Sequence, residues 1–409
     1  MEKTLKFFLE IEKLKNFPRT GWVLRKVKDP ETIADHSFRV ALANWLLGEV
    51  SQLKLSIKKI IKMSLVHDWC EVYAGDVTPF FYFVRDLPKD EKEREKFLKR
   101  YVRLSKRKKD QRAKEKFELE KKSLLSLLRF LSSDLKKEIF SLWLEYERGL
   151  TKEGDFVRQG DKVETLIQAI EYFGPGDNYA LGWWEEVEEF VHQPIFFDFL
   201  SVIEKKFYEK RKKGLDKSLS AILDFVLEAG KLKRMRRLYW KLRGVKNQET
   251  VAGHIFTVAT MALVFAKEKS SVDEEKLLKM TLVHEISAAK TGETASYEPI
   301  LRGKKKEKAK NFWQQHQKEK KALESLTKKL PEKLKKEINF LWEDSRLKKS
   351  EEGKFLSQLN IAAVLFQEVL YKKTKKDFST ASLWEWALAG VKDPLILKFL
   401  NELKKYEKS

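Results

Sequence analysis

Apolar residues recur every three to four positions through most of the chain, the period of an α-helix with one face turned inward. The opening MEKTLKFFLEIEKLK is amphipathic in this sense and lacks the apolar block and cleavage site of a secretory leader. The pattern predicts a helix over about 31–50, with Asp29 or Thr32 as its cap and Pro30 near its first turn. It predicts a second helix over about 57–74, stopped by Gly75, then a charged helical pair, then a helix over about 154–173 that ends at Gly-Pro-Gly. Glycine (17) and proline (9) are scarce among 409 residues, so little interrupts these runs. The expected fold class is all-α. No apolar run approaches the length of a bilayer span, so no membrane association is expected.

The hydrophobic pattern is also written twice. RTGWVLRKVKDPETIADH (19–36) aligns with RLYWKLRGVKNQETVAGH (237–254) at an offset of 218. That register pairs Arg19 with Arg237, Trp22 with Trp240, Arg25 with Arg243, Glu31 with Glu249 and His36 with His254. LVHDWCEVYAGDVTP (65–79) aligns with LVHEISAAKTGETAS (282–296), and QGDKVETLIQAIEY (159–172) with QLNIAAVLFQEVLY (358–371). The expected organisation is two tandem helical domains, 1–207 and 218–409, joined by the charged linker 208–217.

Composition narrows the setting. Lysine and arginine (84) exceed aspartate and glutamate (62), a formal charge of +22. Most lysines alternate with glutamate, as solvated helix faces do, so nucleic acid is a disfavoured partner, while the positive field still attracts an anionic substrate. With one cysteine, Cys70, neither an internal disulfide nor a cysteine zinc site can form, and a cytoplasmic location is the default.

The chemistry-bearing residues gather in the first copy. His67 and Asp68 are adjacent, and Glu71 follows on the same predicted helix face. His36 and Asp161 stand on earlier and later helices. Imidazole and carboxylate donors drawn from three helices suit one divalent metal ion (manganese, cobalt or magnesium) and leave room for water and substrate. Glu71 is then placed to orient or deprotonate a water. A lone histidine on an apolar helix face is usually a packing residue. Here, however, four of the six histidines (His36, His67, His254 and His284) fall at matched positions of the repeat.

The order His … His-Asp … Asp resembles the HD-domain metal-dependent phosphohydrolases. PRTGWVLRKV, ETIADHS, LVHDWCEVYAGDVTP, LWLEYE and VRQGDKVETLIQAIEYF resemble the 5′-deoxynucleotidase branch, strongly over about 5–200 and more weakly over about 220–400. The resemblance implies that His36, His67, Asp68 and Asp161 are metal ligands and that Glu71 is the catalytic carboxylate. It further implies that Asp76 lines the same pocket, that Arg19 contacts the substrate phosphate, and that Trp22 walls the deoxyribose region. The implied reaction is hydrolysis of nucleoside 5′-monophosphates to nucleoside and phosphate. The alternatives are a phosphodiesterase or another nucleotide phosphohydrolase, and a non-catalytic nucleic-acid-binding scaffold.

The second copy keeps His254 and His284 but replaces Asp68 by Glu285, Glu71 by Ala288, Asp76 by Glu293 and Asp161 by Asn360. Alanine has no proton chemistry and an amide is a poor metal ligand. The second copy is therefore expected to be degenerate and non-catalytic. Because the family's enzymes are commonly homodimers, it is expected to pack on the first as a built-in second subunit, an intramolecular pseudo-dimer within a monomeric chain.

Overall fold

A computed structural model describes residues 1–76, 88–90, 92–94, 96, 106–210, 214–293, 305–375 and 379–409. Within them the fold is helical and no strand occurs. The only β pairing is two isolated bridges, Pro18 with Thr32 and Arg236 with Thr250, which themselves repeat at 218.

The first half contains α1 (Glu2–Ile11), α2 (Thr20–Leu24), α3 (Ile33–Val50), α4 (Ile57–Val66) and α5 (Glu71–Ala74). It continues with α6 (Lys106–Leu128), α7 (Ser133–Arg148), α8 (Lys152–Phe173), α9 (Asn178–Phe190) and α10 (Pro194–Phe207). The second half matches it element for element. It runs through α11 (Lys217–Gly230), α12 (Leu238–Leu242), α13 (Val251–Phe265), α14 (Glu274–Val283) and α15 (Ala288–Thr291). It closes with α16 (Lys305–Thr327), α17 (Glu332–Leu347), α18 (Glu351–Thr374), α19 (Ala381–Gly390) and α20 (Pro394–Lys408). Residues 208–216 separate α10 from α11, and 211–213 among them lie outside the described residues.

Local chemistry sets the helix ends that matter. Thr32 caps α3 through a capping box: its hydroxyl accepts from the Asp35 amide while the Asp35 carboxylate accepts from the Thr32 amide. The predicted helix 57–74 is in fact broken. Regular α-helix stops at Val66, and the Trp69 and Glu71 amides donate to carbonyls only three residues back, Val66 and Asp68. Residues 67–70 thus form a tight turn before α5, and Gly75 ends that short helix at a φ of +74°, as Gly292 ends α15 at +73°. This tight turn, rather than a straight helix face, sets the directions of His67 and Asp68.

The core is continuous across the two halves. Helix α3 packs against α13, and every residue of α13 is buried. This corrects the expectation drawn from apolar run length: residues 251–268 are long and apolar enough to cross a membrane, but 89% of that window is buried inside the protein. A helix buried on every side has no polar face to keep. Phe8 of α1 inserts among Phe265, Phe366 and Phe399 of the second half at ring separations of 5.5, 6.5 and 5.5 Å. Buried lysines cross the boundary in both directions, Lys15 to Glu249 and Lys233 to Glu31. These two pairs exchange under the 218-residue offset.

Candidate metal centre

His36 projects from the first turn of α3, His67 and Asp68 from the tight turn after α4, and Asp161 from the middle of α8. Helix α8 reaches α3 this closely because Gly160 faces Asn44, where a Cβ would overlap the Asn44 amide. His36 Nε2 lies 2.9 Å from Asp161 Oδ1 and 3.9 Å from Asp68 Oδ2, and His67 Nε2 lies 3.1 Å from Asp68 Oδ2. One donor atom each from His36, His67 and Asp161 falls within 4.8 Å of the others.

The other ring nitrogens are spoken for. His67 Nδ1 faces the Ser64 carbonyl oxygen at 2.8 Å, and His36 Nδ1 faces Glu164 Oε2 at 2.5 Å. These acceptors leave Nε2 of each ring to point inward. Tyr146 donates to the second oxygen of Asp161 at 2.9 Å. Glu71 Oε2 is buried with no hydrogen-bond partner, and His67 Nε2 faces the Asp68 carboxylate at the same centre. Two inward imidazole nitrogens converging on buried carboxylates form a donor set that a bound cation would satisfy, so these residues fit a divalent metal.

Electrostatics point the same way. Burial and Arg19 oppose protonation of His36, but Glu164 and Asp161 outweigh them and raise its pKa to about 9. Burial would raise Asp68, yet His67, Arg19 and His36 hold it down to about 2, and Asp161 is held well below the usual carboxylate range by His36 and His67. Glu71 goes the other way: burial, then the charges of Asp68 and Asp76, push its carboxyl well above the ordinary value. The centre is a negative pocket that attracts cations.

Arg19 stands at its edge, with NH1 3.2 Å from Asp68 Oδ2 and Nε 3.9 Å from Asp76 Oδ2. Asp76 also accepts from the Thr20 amide at 2.6 Å, so it ties the start of α2, and with it Arg19, to the turn after α5. Trp22 corrects an expectation. It is 1% exposed, packed against Tyr172, Phe173 and Trp183, and its indole N–H donates to Glu31 at 2.8 Å. With no open face it is a packing residue, and Trp240 repeats its role on Glu249.

Sequence reading missed the support behind His36. Arg39 Nε binds Glu164 Oε1 at 2.5 Å, and its NH2 reaches Gln168 at 2.9 Å. The signal was present: Arg39 follows His36 by three positions and Glu164 follows Asp161 by three, and the second copy carries Thr257 and Ala363 in their places.

The corresponding site in the second half keeps a similar donor cluster and gains a cation. His254 Nε2 faces Asn360 Oδ1 at 2.7 Å, and His254, His284 and Glu285 again form a donor cluster. Glu147 is replaced by Arg346, whose guanidinium lies 2.7 Å from Glu319 and 3.6 Å from Glu285. Burial and Arg237 push His254 well below its ordinary value, opposite to His36. This half contains its own cation.

Comparison with known proteins follows this geometry. The HD domain family model matches residues 11–188 and 229–387. The chain is similar to the 5′-deoxynucleotidase HDDC2 of Mus musculus, 32% identical over 168 residues, covering 41% of this chain and 69% of that protein. The HDDC2 of Dictyostelium discoideum is 36% identical over 178 residues, covering 42% and 78%. A solved structure, a conserved hypothetical protein from Pyrococcus furiosus, matches at 27% identity over 49% of this chain and 96% of its own, with a TM-score of 0.35.

Proposed function

The chain belongs to the HD domain family, and on that premise we propose that its first half is a metal-dependent phosphohydrolase releasing phosphate from nucleoside 5′-monophosphates. The 5′-deoxynucleotidase relatives make deoxyribonucleotides the first substrates to test. One observation carries the reading: donor atoms of His36, His67 and Asp161 converge within 4.8 Å of one another beside Asp68, with the buried, unpartnered Glu71 Oε2 at the same centre.

In this reading His36, His67, Asp68 and Asp161 hold one divalent ion. When bound, such an ion supplies Lewis acidity and lowers the pKa of a water. Arg19 sets its guanidinium against the non-bridging phosphate oxygens as charge develops there. Asp76 aims Arg19 through their ion pair and the Thr20 amide. Glu71 carries the proton of the attacking water, a role that its buried carboxyl beside Asp68 and Asp76 is placed to fill. Tyr146 steadies Asp161. The proposed catalytic domain is 1–207, the linker 208–217, and the degenerate domain 218–409. The reciprocal pairs of Lys15 and Lys233 support an intramolecular pseudo-dimer, for which one tight metal site per monomeric chain is expected. A cytoplasmic setting accords with the single buried thiol.

The test is a panel of deoxy- and ribonucleoside monophosphates with manganese, cobalt or magnesium, read as phosphate release. Release from none of them, or His36→Ala and Glu71→Ala variants as active as the parent, sinks the proposal.

A further inference from the structure

The strongest feature left over is a lysine that crosses from one half into the other. Lys233 follows α11, and its side chain is 2% exposed. Its ammonium lies 2.7 Å from Glu164 Oε1 and 2.7 Å from Gln168 Oε1, and it also contacts Glu31. Glu164 Oε1 is the oxygen that Arg39 also binds, while Oε2 receives Nδ1 of His36.

We propose that Lys233, supplied by the C-terminal half, is a positioning residue of the N-terminal metal centre: with Arg39 it clamps one oxygen of Glu164 so that the other stays aimed at Nδ1 of His36. Taking His36 as a metal ligand, as above, is the premise. A histidine whose Nδ1–H is held by a carboxylate presents Nε2 in a fixed direction and with raised basicity. Glu164 lies wholly inside the protein, so its orientation depends on the cations it meets. Arg39 alone also serves Gln168 and Glu171. Without Lys233, Glu164 and Glu31 would share a buried pocket with one guanidinium between them, and Glu164 would be free to turn toward it.

The mirror-image lysine shows that this is more than interface packing. Lys15 reaches Glu249 at 2.6 Å and Gln367 at 2.5 Å. Yet Ala363 occupies the position of Glu164, and the carboxylate that Lys15 holds, Glu249, lies 4.0 Å from His254 Nδ1, beyond hydrogen-bond reach, where Glu164 meets His36 Nδ1 at 2.5 Å. Thr257 and Leu370 stand for Arg39 and Glu171, and a cavity of about 630 Å³ opens beside Lys15 instead. Both lysines hold the halves together, but only Lys233 holds a carboxylate within hydrogen-bond distance of a histidine ring.

The experiment compares Lys233→Met with Lys15→Met in the full chain, measuring manganese affinity by calorimetry, phosphate release as separate kcat and KM, and thermal unfolding. Lys233→Met is expected to bind manganese about 10- to 100-fold more weakly, the usual range for losing such an outer partner. It should lose kcat more than KM. Lys15→Met is expected to lose comparable thermal stability with manganese affinity within about twofold of the parent. Combining Lys233→Met with Glu164→Gln should weaken binding no further than the worse single change. Where the methionine variant does not fold, Lys233→Gln carries the same expectation. Equal effects of Lys15→Met and Lys233→Met on manganese affinity, or an unchanged affinity in folded Lys233→Met, would overturn the proposal. A parent chain that binds manganese with this Lys233 dependence but releases no phosphate refutes the phosphohydrolase reading alone.

Discussion

Asp161→Asn writes into the first half the residue that the second half carries as Asn360. The shape of the site should survive, because Asn360 Oδ1 still meets His254 Nε2 at 2.7 Å, close to the 2.9 Å between Asp161 and His36. Only charge is removed. Asp161 is held well below the ordinary carboxylate range, so it is fully ionised at neutral pH. Two unit charges about 4 Å apart interact by ~4 kcal/mol at an effective dielectric constant of about 20, and a divalent ion doubles this. Relief of the desolvation carried by a buried carboxylate offsets several kcal/mol of that gross figure. The net expectation is a loss of ~3–4 kcal/mol, or manganese binding weakened by two to three decades. Calorimetric titration of both proteins at one pH measures it directly, and circular dichroism checks that the helices persist. Binding within about threefold of the parent would refute the assignment of Asp161, and with it the charge argument that separates the two halves.

Glu71→Ala, which copies Ala288, should leave manganese affinity within a few fold while lowering kcat by about 10²–10⁴, the usual contribution of a positioned proton carrier; an equal fall in both quantities would make Glu71 a ligand instead. Gly160→Ala should cost about 1–3 kcal/mol by forcing α8 off α3, and adding Asn44→Ala should restore much of it in a thermal melt, since the second half pairs Leu359 with Ala262 at the same contact. Burial opposes ionisation of Glu352, but the Lys276 ammonium and the Asp273 amide hold its pKa down to about 2, from an ordinary 4.5. A depressed folded value means stability that is complete above the unfolded pKa and lost as pH falls toward the folded one. The fall in melting temperature between about pH 5 and pH 3 should therefore be shallower in Lys276→Met than in the parent, and an unchanged slope would contradict this.

Much of the molecule was legible in the chain because helices announce themselves by period and because the repeat supplied its own comparison. Matching Asp161 to Asn360 and Glu71 to Ala288 needed no structure, only the register. Thr32 as a cap and Gly75 as a stop follow from backbone chemistry confined to a few neighbouring residues. The break at residues 67–70 did not show, because the amphipathic period continues through it while the hydrogen bonds shorten from four residues to three. Trp22 was misjudged for a related reason: an aromatic residue three positions from an arginine reads alike whether it faces a ligand or the core.

By itself, then, the sequence determined the helices, the duplication, and which residue types could ligate a metal. The tertiary structure decided what those residues experience. His36 and His254 occupy the same place in the repeat, yet one is pushed up to about 9 and the other well below its ordinary value. That sign is a sum over burial, which lowers both, and the charges of Arg19, Glu164, Asp161 and Arg237, brought together only by packing. The carboxylate that meets His36 Nδ1, Glu164, is also bound by Lys233, 69 positions away in the other half of the chain. Hydrophobic period records which face of a helix is buried, but it holds no information about which distant helix that face will meet.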